Sequence, residues 1–308
     1  MEIRKVIIPA AGFGTRFLPA TKIVPKEMLP LLDKPAIQWV VEEAVKSGIK
    51  SIVLVTGKNK KSIEDHFDSC YELDSFLKEK GQYKNLDVLS KILKLADFIS
   101  IRQHEQLGLG HAILMAKSAI GKEHVAVMLP DDIIMGPIPG IAQLAKIAEQ
   151  EKCNVIAVKE MPMETISRYG VIEIKKQITA NLFQVKRLIE KPKAVDAPSN
   201  LAIIGRYVLS PGIFEALETT ECGSGGEIQL TDAIQNLALK GEKVFAYKVQ
   251  GTRYDIGTTM DWLKSNIALA LKHPEYSDSM MDFLKQLDRE MVFLEGKADL
   301  IKQRQVSF

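Results

Sequence analysis

Arg16, Lys22 and Lys26 stand within one short stretch, Gly12-Phe-Gly14-Thr15-Arg16-Phe-Leu-Pro19-Ala-Thr21-Lys22-Ile-Val-Pro25-Lys26-Glu27-Met28-Leu29-Pro30. A glycine loop lets backbone N–H groups approach an anion closely, and a guanidinium and ammonium groups beside it add charge. That combination can grip phosphate; a bare glycine turn would not collect these cations. A second chemical group is Asp131, with Asp132 beside it, at the end of the apolar run Val125-Ala-Val-Met-Leu129. One carboxylate beside substrate phosphates is a usual way to hold Mg²⁺, although a turn aspartate capping Ile133 has the same local look. Gln103 ends the strand-like stretch Phe98-Ile-Ser-Ile-Arg102 and carries a donor and an acceptor that suit a nucleobase edge. In Glu190-Lys191-Pro192 an acid and a base stand together. The first can bind sugar hydroxyls and the second a phosphate, but an adjacent Glu–Lys pair is more often plain surface.

Each of these groups needs an element to hold it. Val6-Ile7-Ile8 reads as a buried strand that breaks at Pro9 into the glycine loop. Pro35 to Gly48 has helical apolar spacing with a glycine stop, and Ser51 to Thr56 is the next buried strand. Strand, helix and strand in that order make a βαβ unit and a parallel sheet. Open α/β sheets bind ligands outside the carboxyl ends of their strands, where the glycine loop, Gln103 and Asp131 all fall. Further strands are expected at Phe98–Gln103, Asn154–Lys159, Val185–Glu190, Ser199–Tyr207 and Lys243–Val249, and one begins at Tyr169–Gly170. Helices are expected from Ala112 to Ser118, from Ile138 to Glu149 and from Thr259 to Leu271. Ser210-Pro211 reads as an N-cap with proline at N1 for a helix through Leu217. Trp39 and Trp262 read as packing residues. Residues 58–97 are charged and helical in pattern, and Ser279 to Lys302 reads as an amphipathic helix.

Several function classes are excluded. The dinucleotide fingerprint needs a third glycine where Phe17 stands, and Ile52-Val-Leu-Val-Thr-Gly57 supplies no acidic residue at its end. No Walker A spacing occurs. A net charge of +2, spread along 308 residues, gives no basis for a nucleic-acid partner or a membrane surface. Cys70, Cys153 and Cys222 are far apart, which argues against a disulfide framework or zinc site. His104 and His111 lack a partner at ligand spacing. No membrane-length apolar run and no leader-like start are seen, so a cytoplasmic location is expected.

The glycine loop through Pro30 closely resembles the signature of sugar-1-phosphate nucleotidyltransferases. Ala10-Ala11 and Lys26-Glu27-Met28 resemble the bacterial uridylyl branch, the UTP–glucose-1-phosphate uridylyltransferases. Further motifs follow in the family's order: Gln103 with Gly108-Leu-Gly110-His111-Ala112, Pro130-Asp131, Tyr169-Gly170 with Glu190-Lys191-Pro192, Asn200 to Gly205, Gly226-Glu227-Ile228-Gln229-Leu230-Thr231-Asp232, and Tyr254-Asp255. The resemblance runs from Ile7 to about Leu271. It implies a Rossmann-like three-layer α/β/α fold with a mixed, mostly parallel central sheet.

The resemblance also implies a division of labour. The nucleotide would meet Ala10, Ala11, Gly12, Gly14, Thr15, Arg16, Lys26, Glu27, Gln103, Gly108, Pro130 and Asp131, with uracil at Gln103 and Gly108. The sugar phosphate would meet Asp131, Gly170, Glu190, Lys191, Asn200, Ile203 and Glu227; the last could equally serve only its helix N-terminus. Asp131 and Asp255 would hold Mg²⁺, and Arg16, Lys26, Asp131, Lys191 and Asp255 would be the catalytic set. The implied reactants are UTP and glucose 1-phosphate, the products UDP-glucose and pyrophosphate. The implied domain spans 1–273, with a surface insert at 58–97 that helps build subunit contacts and a sugar-binding part at about 160–255; residues 274–308 form a helical tail, and a homodimer or homotetramer is expected.

Two rivals remain. A thymidylyl, guanylyl or cytidylyl enzyme would share the phosphate grip, while Ala10-Ala11, the insert and Gly108 to Ala112 favour uridylyl. A non-catalytic homologue that binds nucleotide sugars would be expected to have lost part of the ionic set, and Arg16, Lys26, Asp131 and Asp255 are all present.

Overall fold

The structure, a computed structural model, describes residues 2–290. Nine strands form the central sheet: β1 (Lys5–Pro9), β2 (Ser51–Thr56), β3 (Asp97–Arg102), β4 (Val125–Met128), β5 (Asn154–Glu160), β6 (Val171–Gln177), β7 (Leu182–Ile189), β8 (Leu201–Leu209) and β9 (Val244–Lys248). Their order is β3-β2-β1-β4-β8-β5-β9-β7-β6. The first four are mutually parallel, and β5 pairs parallel with β9. β8 and β7 run against their neighbours. The sheet is therefore mixed and mostly parallel, as expected.

Alternation along the strands makes the layers. Val6 and Ile8 face one apolar cluster and Ile7 the other; Ala126 and Met128 oppose Val125 and Val127 in the same way. Both faces are covered, which is why the central strands read as unbroken apolar runs. Helices Ala36–Lys46 and Gly140–Glu151 cover the first face. Helices Leu109–Met115, Gly212–Thr219 and Leu230–Leu239 cover the second. Each fully buried aliphatic side chain there stabilises the fold by about 1.5–3 kcal/mol, so the middle of the sheet is its firmest part.

The edge is different. β3 is mostly exposed, and the helices Lys61–Phe67, Tyr71–Glu79 and Tyr83–Leu93 lie between it and β2 in sequence. Phe67 stacks on Phe98 with ring centroids 4.4 Å apart, tying this segment to the sheet edge. The helix expected over 279–302 falls partly outside the described residues; 277–290 are helical. Among the described residues no helix is long and apolar enough to cross a membrane.

Three local features depart from the expectations. Asp132–Met135 is a strand and pairs antiparallel with Thr252–Asp255 in a ribbon apart from the main sheet, with Asp132 opposite Asp255. Ser210 does not cap a helix: its Oγ donates to Glu242 at 2.6 Å and its N–H to Asn154 Oδ1 at 2.7 Å. A carboxylate is the stronger acceptor, so the hydroxyl is captured across the fold and the helix starts at Gly212. The helix expected from Ala112 begins earlier, at Leu109, because Gly108 takes φ +96° and turns the chain straight into it.

The three cysteines differ in reactivity. Burial pushes the Cys153 thiol up to about 12, whereas Cys70 and Cys222 are exposed. The thiolate is the nucleophile, so native protein at pH 8 is expected to react with a thiol reagent at Cys70 and Cys222 and to spare Cys153 until it is unfolded. Peptide mapping of the labelled protein reads this directly.

Candidate functional site

The glycine loop closes on itself. It winds through short turns at Thr15–Phe17, Ala20–Lys22 and Lys26–Met28. Thr21 Oγ1 donates to the Gly14 carbonyl at 2.7 Å. Gly14 has φ +67°, and a Cβ there would lie 3.2 Å from the Lys26 Cβ, so glycine is required twice over. This closure brings Lys26 beside the loop's own N–H groups and into a cleft of about 390 Å³.

Lys26 Nζ donates to Asp131 Oδ2 at 2.7 Å across the mouth of that cleft. Burial works against the Lys26 ammonium, but the carboxylates of Asp131 and Glu27 outweigh it and hold its pKa above the ordinary value. For Asp131 burial opposes ionisation, yet Lys26 holds the carboxyl below the usual range by charge and hydrogen bond. Both groups therefore stay charged at neutral pH.

The neighbouring aspartates do different work. Asp132 turns inward, where its Oδ2 accepts the Gly205 N–H at 2.9 Å and its Oδ1 accepts from Arg253 Nε. Burial pushes its pKa up although Arg253 pulls against it. Asp255 sits on the ribbon opposite; its carboxylate accepts from Gly257 N at 2.8 Å, Arg253 Nη2 at 3.0 Å and Tyr169 Oη at 3.2 Å. Gly257 marks the space between the two site aspartates. A Cβ on it would stand 3.1 Å from Asp255 Oδ1, 3.9 Å from Asp131 Oδ2 and 3.7 Å from Arg16 Nη1.

A second cleft of about 450 Å³ adjoins the first and shares Asp131, Leu129 and Leu109 with it. Glu190 lies in it; its Oε2 accepts from Thr231 Oγ1 at 2.7 Å and its Oε1 meets Lys191 Nζ at 3.1 Å. Lys191 takes φ +45°, a left-handed conformation of order 1–3 kcal/mol above the ordinary one for a non-glycine residue. Its N–H donates to the Tyr169 carbonyl at 3.1 Å, which holds the strained turn and lets consecutive acid and base share the cleft. Gly170 lines it because a Cβ would come within 3.0 Å of Glu190 Oε2. Ile203 N–H donates to the Gly170 carbonyl at 2.8 Å.

At the far end of the first cleft, Gln103 is buried with its amide nitrogen 3.2 Å from the Gly108 carbonyl and 3.0 Å from His111 Nδ1. Both amide hydrogens are thus engaged, and the Gln103 Oε1 is left as acceptor. Glu27, also lining this cleft, pairs with Lys60 at 2.8 Å, but its buried Oε1 has no hydrogen-bond partner. A buried polar atom normally has one, so this oxygen suits a ligand donor.

Ala11, Gly12, Gly14, Thr15, Lys26, Glu27, Gln103, Gly108, Pro130 and Asp131 thus line the first cleft together. Arg16, Gly170, Glu190, Lys191, Ile203 and Asp255 line the second with Asp131. Four residues fall elsewhere. Ala10 is buried behind the loop, its N–H donating to the Val55 carbonyl at 2.8 Å. Asn200 is exposed and lines neither cleft. Lys22 lines neither cleft but a third cavity with Lys58 and Arg102, which adjoins the first cleft at Ala11, Thr15 and Gln103. Glu227 lines the first cleft rather than the second, packed so closely on Gly108 that a Cβ there would be 2.6 Å away. Tyr169, Thr231 and His111 stand inside the motifs quoted from the sequence but carry no individual role there, and Arg253 is flagged only by its adjacency to Asp255.

Residues 5–271 match the nucleotidyl transferase family. A UTP–glucose-1-phosphate uridylyltransferase of Staphylococcus epidermidis is 51% identical over 93% of this chain and 99% of that protein. A UDP-glucose pyrophosphorylase complexed with UDP-glucose superimposes with a TM-score of 0.81 at 41% identity, covering 88% of this chain and 100% of the other. A UTP-bound UGPase from Acinetobacter baumannii gives a TM-score of 0.83 at 38% identity over 92% and 99%. The chain belongs to the nucleotidyl transferase family.

The donor set of this nucleotidyl transferase suits a hard divalent cation. Asp131 and Asp255 offer carboxylate oxygens around the Gly257 hollow, no cysteine, methionine or histidine lines that cleft among the described residues, and Mg²⁺ is commonly held by one or two carboxylates with substrate phosphates. Gly257→Ala is expected to put a methyl into that hollow. Nucleotidyl transfer should fall by about 10- to 100-fold while the melting temperature moves by no more than about 3 °C, read by steady-state assay and thermal melt.

Proposed function

We propose that this chain transfers a uridylyl group from UTP to glucose 1-phosphate, giving UDP-glucose and pyrophosphate. The observation that carries the reading is the meeting of two clefts at Asp131, one lined by the glycine loop with Lys26 and Gln103, the other by Glu190 and Lys191. The names of the relatives and of the ligand-bound neighbours support the same assignment.

The attacking group is a phosphate oxygen of the sugar, already ionised at neutral pH, so the reaction needs no general base. Its requirements are in-line placement and an answer to the negative charge around the α-phosphorus. Lys191 steadies the sugar phosphate from one cleft, and Glu190, fixed by Thr231, accepts from sugar hydroxyls. Lys26 and the loop N–H groups hold the triphosphate in the other, while Arg16 reaches over from the Gly257 side to the leaving pyrophosphate. Asp131 and Asp255 would hold Mg²⁺, which would supply further charge neutralisation when bound.

Gln103 narrows the base. An acceptor at its Oε1 matches the N3–H of uracil, and equally that of thymine, whereas cytosine presents a lone pair there and is repelled. The unpaired Oε1 of Glu27 accepts a nucleotide hydroxyl.

Pyrophosphorolysis tests the reading, with UDP-glucose and dTDP-glucose offered in parallel in the presence of Mg²⁺. Strong preference for UDP-glucose is expected. Preference for dTDP-glucose would move the chain to the thymidylyl branch, and tight binding without turnover would replace the enzyme by a sensor of nucleotide sugars. Asp131→Asn is expected to lower kcat by about 1000-fold in a protein whose circular dichroism is unchanged. Wild-type turnover in that variant would remove Asp131 from the site.

A further inference from the structure

Directly beneath Asp131 lies a fully buried ion pair to which the chemistry above assigns nothing. Arg206, at 0% exposure on β8, pairs with Glu43 of the Ala36–Lys46 helix. Nη2 donates to Glu43 Oε2 at 2.7 Å and Nε to Glu43 Oε1 at 3.0 Å. The remaining donors go to backbone: Nη1 to the carbonyls of Leu129 at 3.1 Å and Gly205 at 2.9 Å, and Nη2 to the carbonyl of Asp132 at 2.7 Å. Every N–H of the guanidinium is engaged, and two of the accepting carbonyls flank Pro130-Asp131 on either side.

A buried ion pair is not an efficient way to stabilise a core, since apolar residues of similar volume often do as well or better. Here the pair does something apolar residues cannot. In the turn that leaves β4 and enters the ribbon the Asp132 N–H stands 3.4 Å from the Leu129 carbonyl, and a planar fork that donates to the carbonyls of Leu129 and Asp132 fixes this backbone in one geometry. Glu43 adds a second anchor, since its Oε1 accepts the Ile141 N–H at the start of the Gly140–Glu151 helix at 2.9 Å. Gly205 completes the seat: a Cβ there would lie 2.7 Å from the Leu129 Cβ and 2.9 Å from Asp132 Oδ2.

We propose that Arg206 and Glu43 are positioning residues that set the direction of the Asp131 carboxylate by clamping the backbone on both sides of it. Neither touches a substrate. The proposal rests on the reading of Asp131 as the group shared by the two clefts. A shift of about 1 Å in a reacting group can lower a rate by about 100-fold, which is the scale on which such a clamp acts.

The test compares the full-length wild type with Arg206→Lys, Glu43→Gln and, as a control, Leu144→Ala, a cavity on the same side of the sheet away from the turn. Each is measured for melting temperature, for kcat and KM with UTP and glucose 1-phosphate, and for Mn²⁺ affinity of the protein alone by paramagnetic resonance. Lysine keeps the charge but loses the fork, so Arg206→Lys should lower kcat by about 100-fold and Mn²⁺ affinity by about 10-fold, with KM changed less than about 3-fold. Glu43→Gln should lower kcat by about 10-fold in the same pattern. Leu144→Ala should lose thermal stability and keep kcat and Mn²⁺ affinity. If Arg206→Lys does not fold, Glu43→Gln decides alone. The proposal is overturned if the folded variants keep kcat and Mn²⁺ affinity within about 3-fold of wild type, or if Leu144→Ala loses as much of both. A wild type inactive with UTP would overturn the uridylyl reading instead, and the Mn²⁺ titration would still decide the role of Arg206.

Discussion

A carboxylate taken out of water must be answered by a cation close by, and one corner of this sheet holds Asp131, Asp132 and Asp255 together. Lys26 answers the first from the glycine loop, and Arg253 answers the other two from the ribbon. Lys26 and Arg253 each reach an acid distant in sequence, Asp131 and Asp132, so the corner can form only when the N-terminal loop, the end of β4 and the ribbon have all docked. The glycine positions follow from that crowding. Gly205 and Gly257 leave room for carboxylates, and Gly14 lets the loop fold onto Lys26.

The same balance divides structural from chemical acids. Asp132, adjacent to Asp131, has its oxygens tied to Gly205 and Arg253 and points into the fold. Asp131 points outward with Lys26 as its side-chain partner. Two identical side chains in succession thus hold the corner together from one side and face both clefts from the other, because the chain enters an extended ribbon where successive side chains alternate.

Sequence reasoning went furthest where the signal was local. Val6-Ile7-Ile8 before a glycine loop, and Val125 to Leu129 before Asp131, each state a strand and its end in a few residues, and the layered sheet follows from them. Ser210 shows the limit: its position before Pro211 is right for a cap, but Asn154 and Glu242, remote in sequence, claim its atoms. The ribbon was unreadable for a related reason, since strands of four residues carry too little alternation to stand out. The sequence pairs Gln103 with the Gly108 to Ala112 turn, but the contact of its amide with the His111 ring depends on the φ of Gly108, which no local pattern announces. Roles carried over by resemblance fared similarly: most of the named residues converge on the clefts, while Asn200 and Ala10 lie outside them.

β8 is inserted against the grain between β4 and β5. On one side of it lie the strands that carry the glycine loop and Gln103; on the other lie β5, β9, β7 and β6, with Glu190 following β7. The molecule is therefore modular across a seam one strand wide. On the proposed assignment of the two clefts, sequence drift beyond the seam would recut the pocket around Glu190 without disturbing the strands that carry the glycine loop and Gln103, provided the seam strand keeps its register. An architecture of this kind would let a lineage exchange the sugar it activates while inheriting its nucleotide unchanged.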